Sequence, residues 1–277
     1  MELRDIGEAI KLSNTEGWNQ TEKDWKLIIE NPKNICLLAE SGSKVIGTTT
    51  AINYSNQVAW TGMVLVGKPH RGQGVSKALL TAIFKKTESF PSIKLDATPD
   101  GQLVYKKFGF KDEYLIDRMV NTSWKNLISE TNDLLTAPIQ PQHIKEIIAF
   151  DAIVFGANRA QLIEALIKEY PHKAWLMKQN NQVTGFVLGR DGNRYNQIGP
   201  VTATGIIEAK ILIAKALKKL YHQPVVADVL CDKEGLIDWL SSIGFTKQRT
   251  FVRMYKKENP FPGVVGKQYL IGGPEFG

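Results

Sequence analysis

The sequence predicts an α/β (α+β) fold that occurs twice in tandem. Strand-like runs joined by short polar turns favour an antiparallel meander, and amphipathic helical stretches flank it. The order of these runs repeats: Val45-Ile46-Gly47 corresponds to Val183-Thr184-Gly185 at an offset of 138 residues, and Phe108-Gly109-Phe110 to Ile243-Gly244-Phe245 at an offset of 135. Two repeats are too few for a solenoid, so the pattern predicts a tandem duplication of one domain.

The first copy begins with two helices, at about residues 5–15 and 21–30. Thr21 is the predicted N-cap of the second helix, in which Trp25 and Ile28 recur at helical spacing. The elements predicted to follow are strands at 35–39, 44–52 and 58–66, a helix at 75–87, a strand at 93–95, a helix at 101–108 and a strand at 110–120.

The second copy repeats three strands, a helix, a strand, a helix and a final strand. These elements are predicted at residues 174–177, 183–188, 196–203, 206–221, 225–230, 234–242 and 251–255. Ser, Thr, Asn and Pro cluster at 121–138, which predicts a seam there and domains at 1–125 and 126–277. The Gly- and Pro-rich stretch 258–277 is predicted to be irregular, but its apolar residues favour packing back on the protein.

The composition excludes several classes of protein. With 43% hydrophobic and 23% charged residues among 277, the chain is near the globular average, unlike disordered chains, collagen or coiled coils. No apolar run approaches the ~18 residues that span a bilayer, and the first residues lack the apolar core of a signal peptide. Cys36 and Cys231 form no disulfide or metal pattern. We therefore expect a cytoplasmic protein with no membrane segment and no metal site.

The net charge of +7 is uneven, because residues 137–277 carry +6 of it and residues 1–136 carry +1. This excess either favours an acidic partner or substrate or is a solvated basic surface. The sequence has no zinc, helix-turn-helix or RRM signature and no basic tract interleaved with aromatic residues. Nucleic acid is therefore not expected as a ligand, and the oligomeric state is not predicted.

The segment Arg71-Gly72-Gln73-Gly74-Val75-Ser76 joins a predicted strand to a predicted helix. Consecutive backbone N–H groups at a helix N-terminus, helped by the helix dipole, bind phosphate or pyrophosphate. Gly72 and Gly74 allow close approach of the anion, and Arg71 adds positive charge. A dinucleotide G-x-G-x-x-G motif would need glycine where Lys77 stands, and a P-loop is absent. The alternative is a strand-to-helix turn without a ligand.

This segment resembles the acetyl-CoA signature Q/R-x-x-G-x-G/A of the Gcn5-related N-acetyltransferase (GNAT) superfamily. Arg71 and Gly74 match its first and fourth positions, whereas Ser76 replaces Gly or Ala at the sixth. The run Tyr105-Lys106-Lys107-Phe108-Gly109-Phe110 resembles the family's Tyr-x-x-x-Gly-Phe segment. The predicted elements of residues 1–120 follow the family order. The resemblance implies two tandem GNAT-like domains, each a mixed, mostly antiparallel sheet flanked by helices.

The whole chain resembles a bacterial tandem type in which the second GNAT domain is degenerate. This resemblance rests on the segments 17–19, 95–98, 155–159, 198–201, 253–255 and 272–277. At an offset of 135, the second-copy counterparts of Arg71, Gly74 and Tyr105 are Ile206, Ala209 and Leu240. The anion turn and the acid are therefore absent from the second copy. We expect the second domain to cover the acceptor side of the first domain's cleft.

The resemblance also implies roles for residues of the first copy, with acetyl-CoA as cosubstrate. Its pyrophosphate would be bound by the backbone amides of Arg71, Gly72, Gln73, Gly74, Val75 and Ser76. Its pantetheine arm would pair with the strand edge Val64-Leu65-Val66, like an added strand. Tyr105 would be the general acid for the leaving thiolate, since a phenol can donate a hydrogen bond to sulfur. The alternative role for Tyr105 is a core aromatic residue.

The general base is left open, because the predicted strand 58–66 contains no Glu, Asp or His. Asp96 and His70 are candidates, each with a structural role as the alternative, and a water chain could also serve. The predicted substrate residues are Trp18, Asp96 and Arg253. Further polar candidates from the second half, which would favour an acceptor bearing a carboxylate or phosphate, are Asn158, Arg159 and Arg190.

These inferences predict an acetyl-CoA-dependent N-acetyltransferase that moves an acetyl group to a primary amine of a small molecule, by direct transfer in a ternary complex. Two alternatives are kept: a non-catalytic acyl-CoA-binding sensor or scaffold, and a protein or peptide N-acetyltransferase. A cleft closed by the second domain would favour a small acceptor, whereas a wide groove would favour a peptide.

Overall fold

In the computed structural model, which describes residues 1–122 and 135–277, the elements of the first half follow the predicted order. They are α1 (Ile6–Thr15), α2 (Glu22–Glu30), β1 (Ile35–Ser41), β2 (Lys44–Tyr54), β3 (Val58–Val66), α3 (Val75–Lys86), β4 (Ser92–Ala97), α4 (Pro99–Lys107) and β5 (Lys111–Asn121). Each end differs from its prediction by two residues or fewer. The domain boundary predicted between residues 125 and 126 lies outside the described residues.

The second half contains the predicted elements and four others. Its elements are β6 (Ala137–Pro138), α5 (Ile144–Phe155), α6 (Ala160–Glu169), β7 (Trp175–Gln179), β8 (Gln182–Arg190), β9 (Asn196–Ala203), α7 (Ile206–Lys219), β10 (Val225–Leu230), α8 (Glu234–Ser242), β11 (Thr246–Lys257) and β12 (Gln268–Leu270). The strands β6 and β12 and the helices α5 and α6 were not predicted. None of the helices in the described ranges is long and apolar enough to cross a membrane.

The start of α2 shows how local sequence determines an element. Thr21 is its N-cap, as predicted: the Thr21 hydroxyl accepts the Asp24 N–H at 3.4 Å, and the Thr21 N–H donates to the Asp24 carboxylate at 2.7 Å. Trp25 and Ile28 follow on the inner face and are fully buried. The cap therefore places the Asp24 carboxylate in the interior, where it also contacts the second half of the chain.

The last full strand of each half is exchanged between the halves. β11 lies between β4 and β5 and pairs antiparallel with both, although they belong to the first half. β5 in turn pairs with β10 of the second half. The register sets Arg253 opposite Asp96, and Asp228 opposite Arg118. Within the described residues, twelve strands thus form one mixed, mostly antiparallel sheet that both halves share.

The first half of this sheet has an opening between β3 and β4. The two strands pair in parallel only over Val58–Trp60 and Ser92–Lys94. A bulge follows in β3 near Met63, whose φ is +52°, and the register with β2 shifts there. The remainder of β3, residues 61–66, therefore diverges from β4 and presents a free edge.

The second half has an equivalent opening, but the chain itself fills it. β9 and β10 pair in parallel over Asn196–Ile198 and Val225–Ala227. β12 lies between the two strands beyond that point, with Leu270 opposite Val201 of β9 and Val229 of β10. The backbone of β12 thus occupies the place that stays open in the first half.

The stretch 258–277 packs back on the protein, as predicted, although β12 makes part of it regular. The Tyr54 hydroxyl donates to the Phe276 carbonyl at 2.7 Å, and the Trp60 indole N–H donates to the Pro274 carbonyl at 3.0 Å. Phe276 is 1% exposed and belongs to a hydrophobic cluster that contains residues of both halves. The end of the stretch therefore lies beneath β2 and β3 of the first half.

Candidate active site

The predicted anion turn is an eight-residue loop, 67–74, between β3 and α3. The first helical hydrogen bond of α3 runs from the Ala78 N–H to the Gly74 carbonyl at 2.9 Å, so the N–H groups of residues 75–77 have no helical partner. Gly72 and Gly74 have φ values of +74° and +81°, and a Cβ at either would meet no atom within 4 Å. Both glycines are therefore required by backbone conformation, and the space beside them is open.

Arg71 connects this loop to the end of β3 and to the C-terminus of α1. Its Nε donates to the Val66 carbonyl at 3.1 Å, and its Nη2 lies 2.6 Å from Oε1 of Glu16, the C-cap of α1. The Gln73 amide donates to the Pro69 carbonyl at 3.0 Å, which closes the loop on itself. The Arg71 guanidinium thus holds the loop in place besides contributing charge.

A groove of about 340 Å³ runs along the loop and the free edge of β3. It collects every residue predicted to contact the cofactor except Gln73: Val64, Leu65, Val66, Arg71, Gly72, Gly74, Val75 and Ser76. His70 also lines it, at the loop end. The helix N-terminus and the free strand edge therefore lie in one continuous space, as binding of a pyrophosphate with an extended arm requires.

A chamber of about 210 Å³ continues from this groove. Trp18, Val64 and Ser76 line both spaces, so they mark the junction. Tyr105 and Asp96 line the chamber from the first half. The second half contributes two residues of β11 and two of the last stretch, which are Arg249, Phe251, Pro274 and Glu275. The strand exchange thus brings the second half into the cleft of the first.

Tyr105 lies on α4, which begins at the N-cap Thr98; the Thr98 hydroxyl accepts the Gly101 N–H at 3.2 Å. The Tyr105 ring packs against Phe110 with 5.8 Å between centroids. Burial raises the pKa of Tyr105 above its usual range, so the phenol keeps its proton at neutral pH. It is therefore able to donate a hydrogen bond into the chamber.

Asp96 and Arg253 form a buried pair. Nε and Nη2 of Arg253 bind the two carboxylate oxygens at 2.8 and 2.9 Å, Nη1 contacts the Tyr114 hydroxyl, and the guanidinium lies 4.6 Å from the Trp60 ring. Burial raises the pKa of Asp96, and the charge of Arg253 opposes that shift. Asp96 lines the chamber, whereas Arg253 lies behind it with its donors already engaged.

The other polar candidates are separated by the structure. Asn158 is not among the residues that line the chamber. Its side-chain oxygen Oδ1 accepts the Ala160 N–H at 2.8 Å. Arg159 binds the Asp151 carboxylate at 2.8 and 2.9 Å and contacts the Gly277 carbonyl. Arg190 binds Asp24 at 2.9 Å and also contacts Oε1 of Glu275, so it reaches the chamber through that carboxylate.

Six polar residues that sequence reasoning missed also line the chamber: Gln20, Thr61, Thr98, Arg118, Arg249 and Glu275. Arg118 is committed to Asp228 at 2.7 and 2.8 Å. Within the described part of the chain, the Arg249 guanidinium makes no hydrogen bond or ion pair. Glu275 belongs to the terminal segment 272–277, which carried the family resemblance, but its role depends on a distant contact that the sequence pattern does not show.

In the second copy, the connection that corresponds to the anion turn is shorter, and the residue correspondence differs from the predicted offset. Only Thr204 and Gly205 connect β9 to α7, where the first half has eight residues, so α7 begins 131 positions after α3 (206 − 75) rather than 135. Leu240, the counterpart of Tyr105, is fully buried. With β12 in the strand opening as well, the described residues of the second half contain no such loop, no tyrosine at the position of Tyr105 and no free strand edge at this opening.

Family models described as "Acetyltransferase (GNAT) domain" match residues 32–112 and 147–270, together well over half of the chain. The chain is 25% identical to the holothin acyltransferase of Pseudoalteromonas sp. (strain SANK 73390), over 94% of this chain and 89% of that relative. It is 23% identical to YitH of Bacillus subtilis (strain 168), described as an uncharacterized N-acetyltransferase, over 92% of this chain and 90% of YitH.

Among solved structures, a candidate acetyltransferase from Pyrococcus horikoshii matches with a TM-score of 0.82 at 21% identity. The match covers 100% of this chain and 94% of that one, so the fold is shared along the whole length. GNAT domains use an acyl-CoA together with an acceptor substrate. The chain belongs to the GNAT superfamily, carries two GNAT domains in tandem, and is an acyltransferase.

Proposed function

We propose that the protein is an acetyl-CoA-dependent N-acetyltransferase that acts on a primary amine of a small molecule, by direct transfer in a ternary complex. The observation that carries this proposal is the continuity of the groove with the chamber at Trp18, Val64 and Ser76. A donor lying in the groove would bring its thioester to the mouth of a separate acceptor space, next to Tyr105. The first domain, 1–125, would supply the donor site and the second, 126–277, the far wall of the acceptor site.

On the donor side, the backbone amides of residues 71–76 would bind the pyrophosphate of acetyl-CoA. The free edge of Val64, Leu65 and Val66 would pair with the pantetheine arm, in the place that β12 occupies in the second half. Tyr105 would donate its proton to the departing thiolate. The proton-bearing form of this phenol is favoured because its pKa is raised by burial.

On the acceptor side, the chamber favours a small molecule with an anionic group. Arg249 and Phe251 of β11 close it, together with Pro274 and Glu275, so a peptide would not lie across it freely. The unpaired guanidinium of Arg249 would bind a carboxylate or phosphate of the acceptor. Trp18 and Asp96 would contact the acceptor, and Arg253 would orient Asp96 from behind.

Calorimetry with acetyl-CoA tests the donor site. We expect the wild type to bind one equivalent and Gly74→Glu to bind none, because a negative charge would stand at the pyrophosphate position. Gly42→Glu is the matched control, since Gly42 also has a positive φ and open space around it but lies in the β1–β2 turn. Two equivalents, or binding by Gly74→Glu, would contradict the proposed donor site.

Release of the CoA thiol with a panel of primary amines tests the transfer itself. Binding of acetyl-CoA without amine-dependent release would favour a sensor or scaffold. Release that requires a peptide amine would favour the peptide-modifying alternative. A cytoplasmic location stays a prediction, with which the two free thiols of Cys36 and Cys231 are consistent.

A further inference from the structure

We propose that Glu275, from the last stretch of the second half, binds the ammonium group of the acceptor and takes its proton before acetyl transfer. This inference rests on the function proposed above. It assigns the general base, which strand β3 does not supply, and it places that base on a segment far from the GNAT motifs in sequence.

Glu275 is fixed at the chamber by its neighbours. The Trp60 indole N–H donates a hydrogen bond to the Pro274 carbonyl at 3.0 Å, and the Tyr54 hydroxyl donates to the Phe276 carbonyl at 2.7 Å. Gly62 of β3 makes room for the Glu275 backbone, because a Cβ on Gly62 would stand 3.3 Å from Cα of Glu275. Both neighbours of Glu275 in sequence, Pro274 and Phe276, are therefore hydrogen-bonded to the first half. The Glu275 side chain is 2% exposed and has one defined position.

The two carboxylate oxygens of Glu275 differ. Oε1 contacts the guanidinium of Arg190, which also binds Asp24 at 2.9 Å. Oε2 is buried and has no hydrogen-bond partner among the described residues. A buried carboxylate oxygen without a donor is unfavourable, so a donor from outside the chain, water or a ligand, is expected there.

Two more buried oxygens without partners line the same chamber, Oε1 of Gln20 and Oγ1 of Thr61. Three residues that line the chamber, from three separate segments, thus each carry a buried oxygen that has no donor among the described residues. An alkylammonium carries three N–H donors and a positive charge, which matches this set. Asp96 is less suited to accept a proton, since both of its oxygens already bind Arg253.

The proton and bond changes balance with the acceptor and acetyl-CoA alone. An N–H bond of the ammonium breaks, and its proton goes to Oε2 of Glu275. The freed nitrogen lone pair forms the C–N bond at the thioester carbonyl, and the C–S bond breaks. Tyr105 protonates the leaving sulfur and regains a proton from the nitrogen, while Glu275 returns its proton to water.

The test compares two small nucleophiles with acetyl-CoA at neutral pH. Methylamine is largely charged there and must lose a proton, whereas hydroxylamine is largely neutral and need not. For Glu275→Gln we expect transfer to methylamine to fall by about a hundredfold or more, the usual contribution of a positioned base. Transfer to hydroxylamine, measured as the coloured ferric complex of the hydroxamate, should change little. Binding of acetyl-CoA, measured by calorimetry, should be unchanged.

Glu258→Gln is the matched control, because it removes an exposed carboxylate from the same stretch outside the chamber. If Glu275→Gln fails to fold, Glu275→Asp keeps the charge beside Arg190 and should show the same selective loss to a smaller extent. Retained methylamine transfer in these variants, or equal loss with both nucleophiles, would overturn the role of Glu275 while leaving the transferase function intact. A wild type that transfers acetyl to neither nucleophile would overturn the proposed function and this inference together.

Discussion

Gly62 and Glu275 lie so close that a Cβ at position 62 would press on the Glu275 backbone, although 212 residues lie between them in the sequence. A side chain at position 62 would stand 3.3 Å from Cα and 3.5 Å from the carbonyl oxygen of Glu275. The β3 backbone and the last stretch therefore pass too close together for a Cβ to fit between them without displacement. The position of Glu275 depends on the absence of a Cβ in β3.

Gly62→Ala tests this contact. The added methyl group should displace the Glu275 backbone by a few tenths of an ångström, and we expect transfer to methylamine to fall by about tenfold through misplacement of the side chain. The dissociation constant of acetyl-CoA should not change. Gly266→Ala is the control, since a Cβ at Gly266 meets nothing within 4 Å. Equal activity of the two variants would show that Glu275 tolerates displacement.

The ion pair between Arg71 and Glu16 gives a second prediction. If Arg71 positions the anion loop, Glu16→Gln and Arg71→Ala should both weaken binding of acetyl-CoA, Arg71→Ala by about tenfold or more because it also loses the bond to Val66. Thermal stability should change little, since the pair is half exposed and such pairs contribute about 0–1 kcal/mol. Calorimetry measures the affinities. Tighter binding by Glu16→Gln would mean that Glu16 competes with the phosphate for Arg71.

Arg249→Gln should change the choice of acceptor. A charge-assisted hydrogen bond contributes about 1.5–3 kcal/mol, so we expect the KM for β-alanine to rise by about ten- to a hundredfold. The KM for propylamine, which lacks the carboxylate, should stay the same. Arg4→Gln removes an exposed cation far from the chamber and serves as the control. A parallel change for both acceptors would argue against an anion site at Arg249.

Tyr105→Phe should lower kcat by about a hundredfold, the usual contribution of a general acid, without changing acetyl-CoA binding. The pH dependence follows from the direction of the pKa shift. Burial raises the pKa of Tyr105, so the phenol keeps its proton at least to its ordinary value of about 10. At pH values up to about 9, the wild-type rate should therefore show no decrease caused by loss of this proton. A fall in that range that Tyr105→Phe lacks would contradict the assignment.

Local patterns were sufficient to predict most elements and the residues that line the groove along β3 and the following loop. The Thr21 cap, the strand-to-helix loop and the Tyr105 helix are each determined by residues close in sequence. The segment of α5 is apolar on nearly all sides, so its helical period is weak. Helix α6 does have the helical period, with Leu162, Ile163, Leu166 and Ile167 buried, so this helix was missed although its sequence carries the signal.

The acceptor chamber could not be predicted in the same way. A strand's alternation shows which face is buried but does not identify its partner, so nothing in β11 indicated that it would pair with β4. Arg249 reaches the chamber because β11 pairs with strands of the first half. Glu275 reaches it because the stretch 258–277 packs back on the first half. The net charge indicated an excess of cations in the second half, but it could not identify Arg249 among them.

The strand exchange also has a consequence for the newly made chain on the ribosome. Domains generally fold as they emerge, with the N-terminal one first. Here β4 and β5 have no partner for their facing edges until β11 has been synthesised, and the chamber lacks a wall until residue 275 is in place. A polypeptide released before β11 is synthesised would contain the complete loop 67–74 but would expose the edges of β4 and β5. Such exposed strand edges favour aggregation. The order of synthesis therefore makes the complete chamber one of the last features to form.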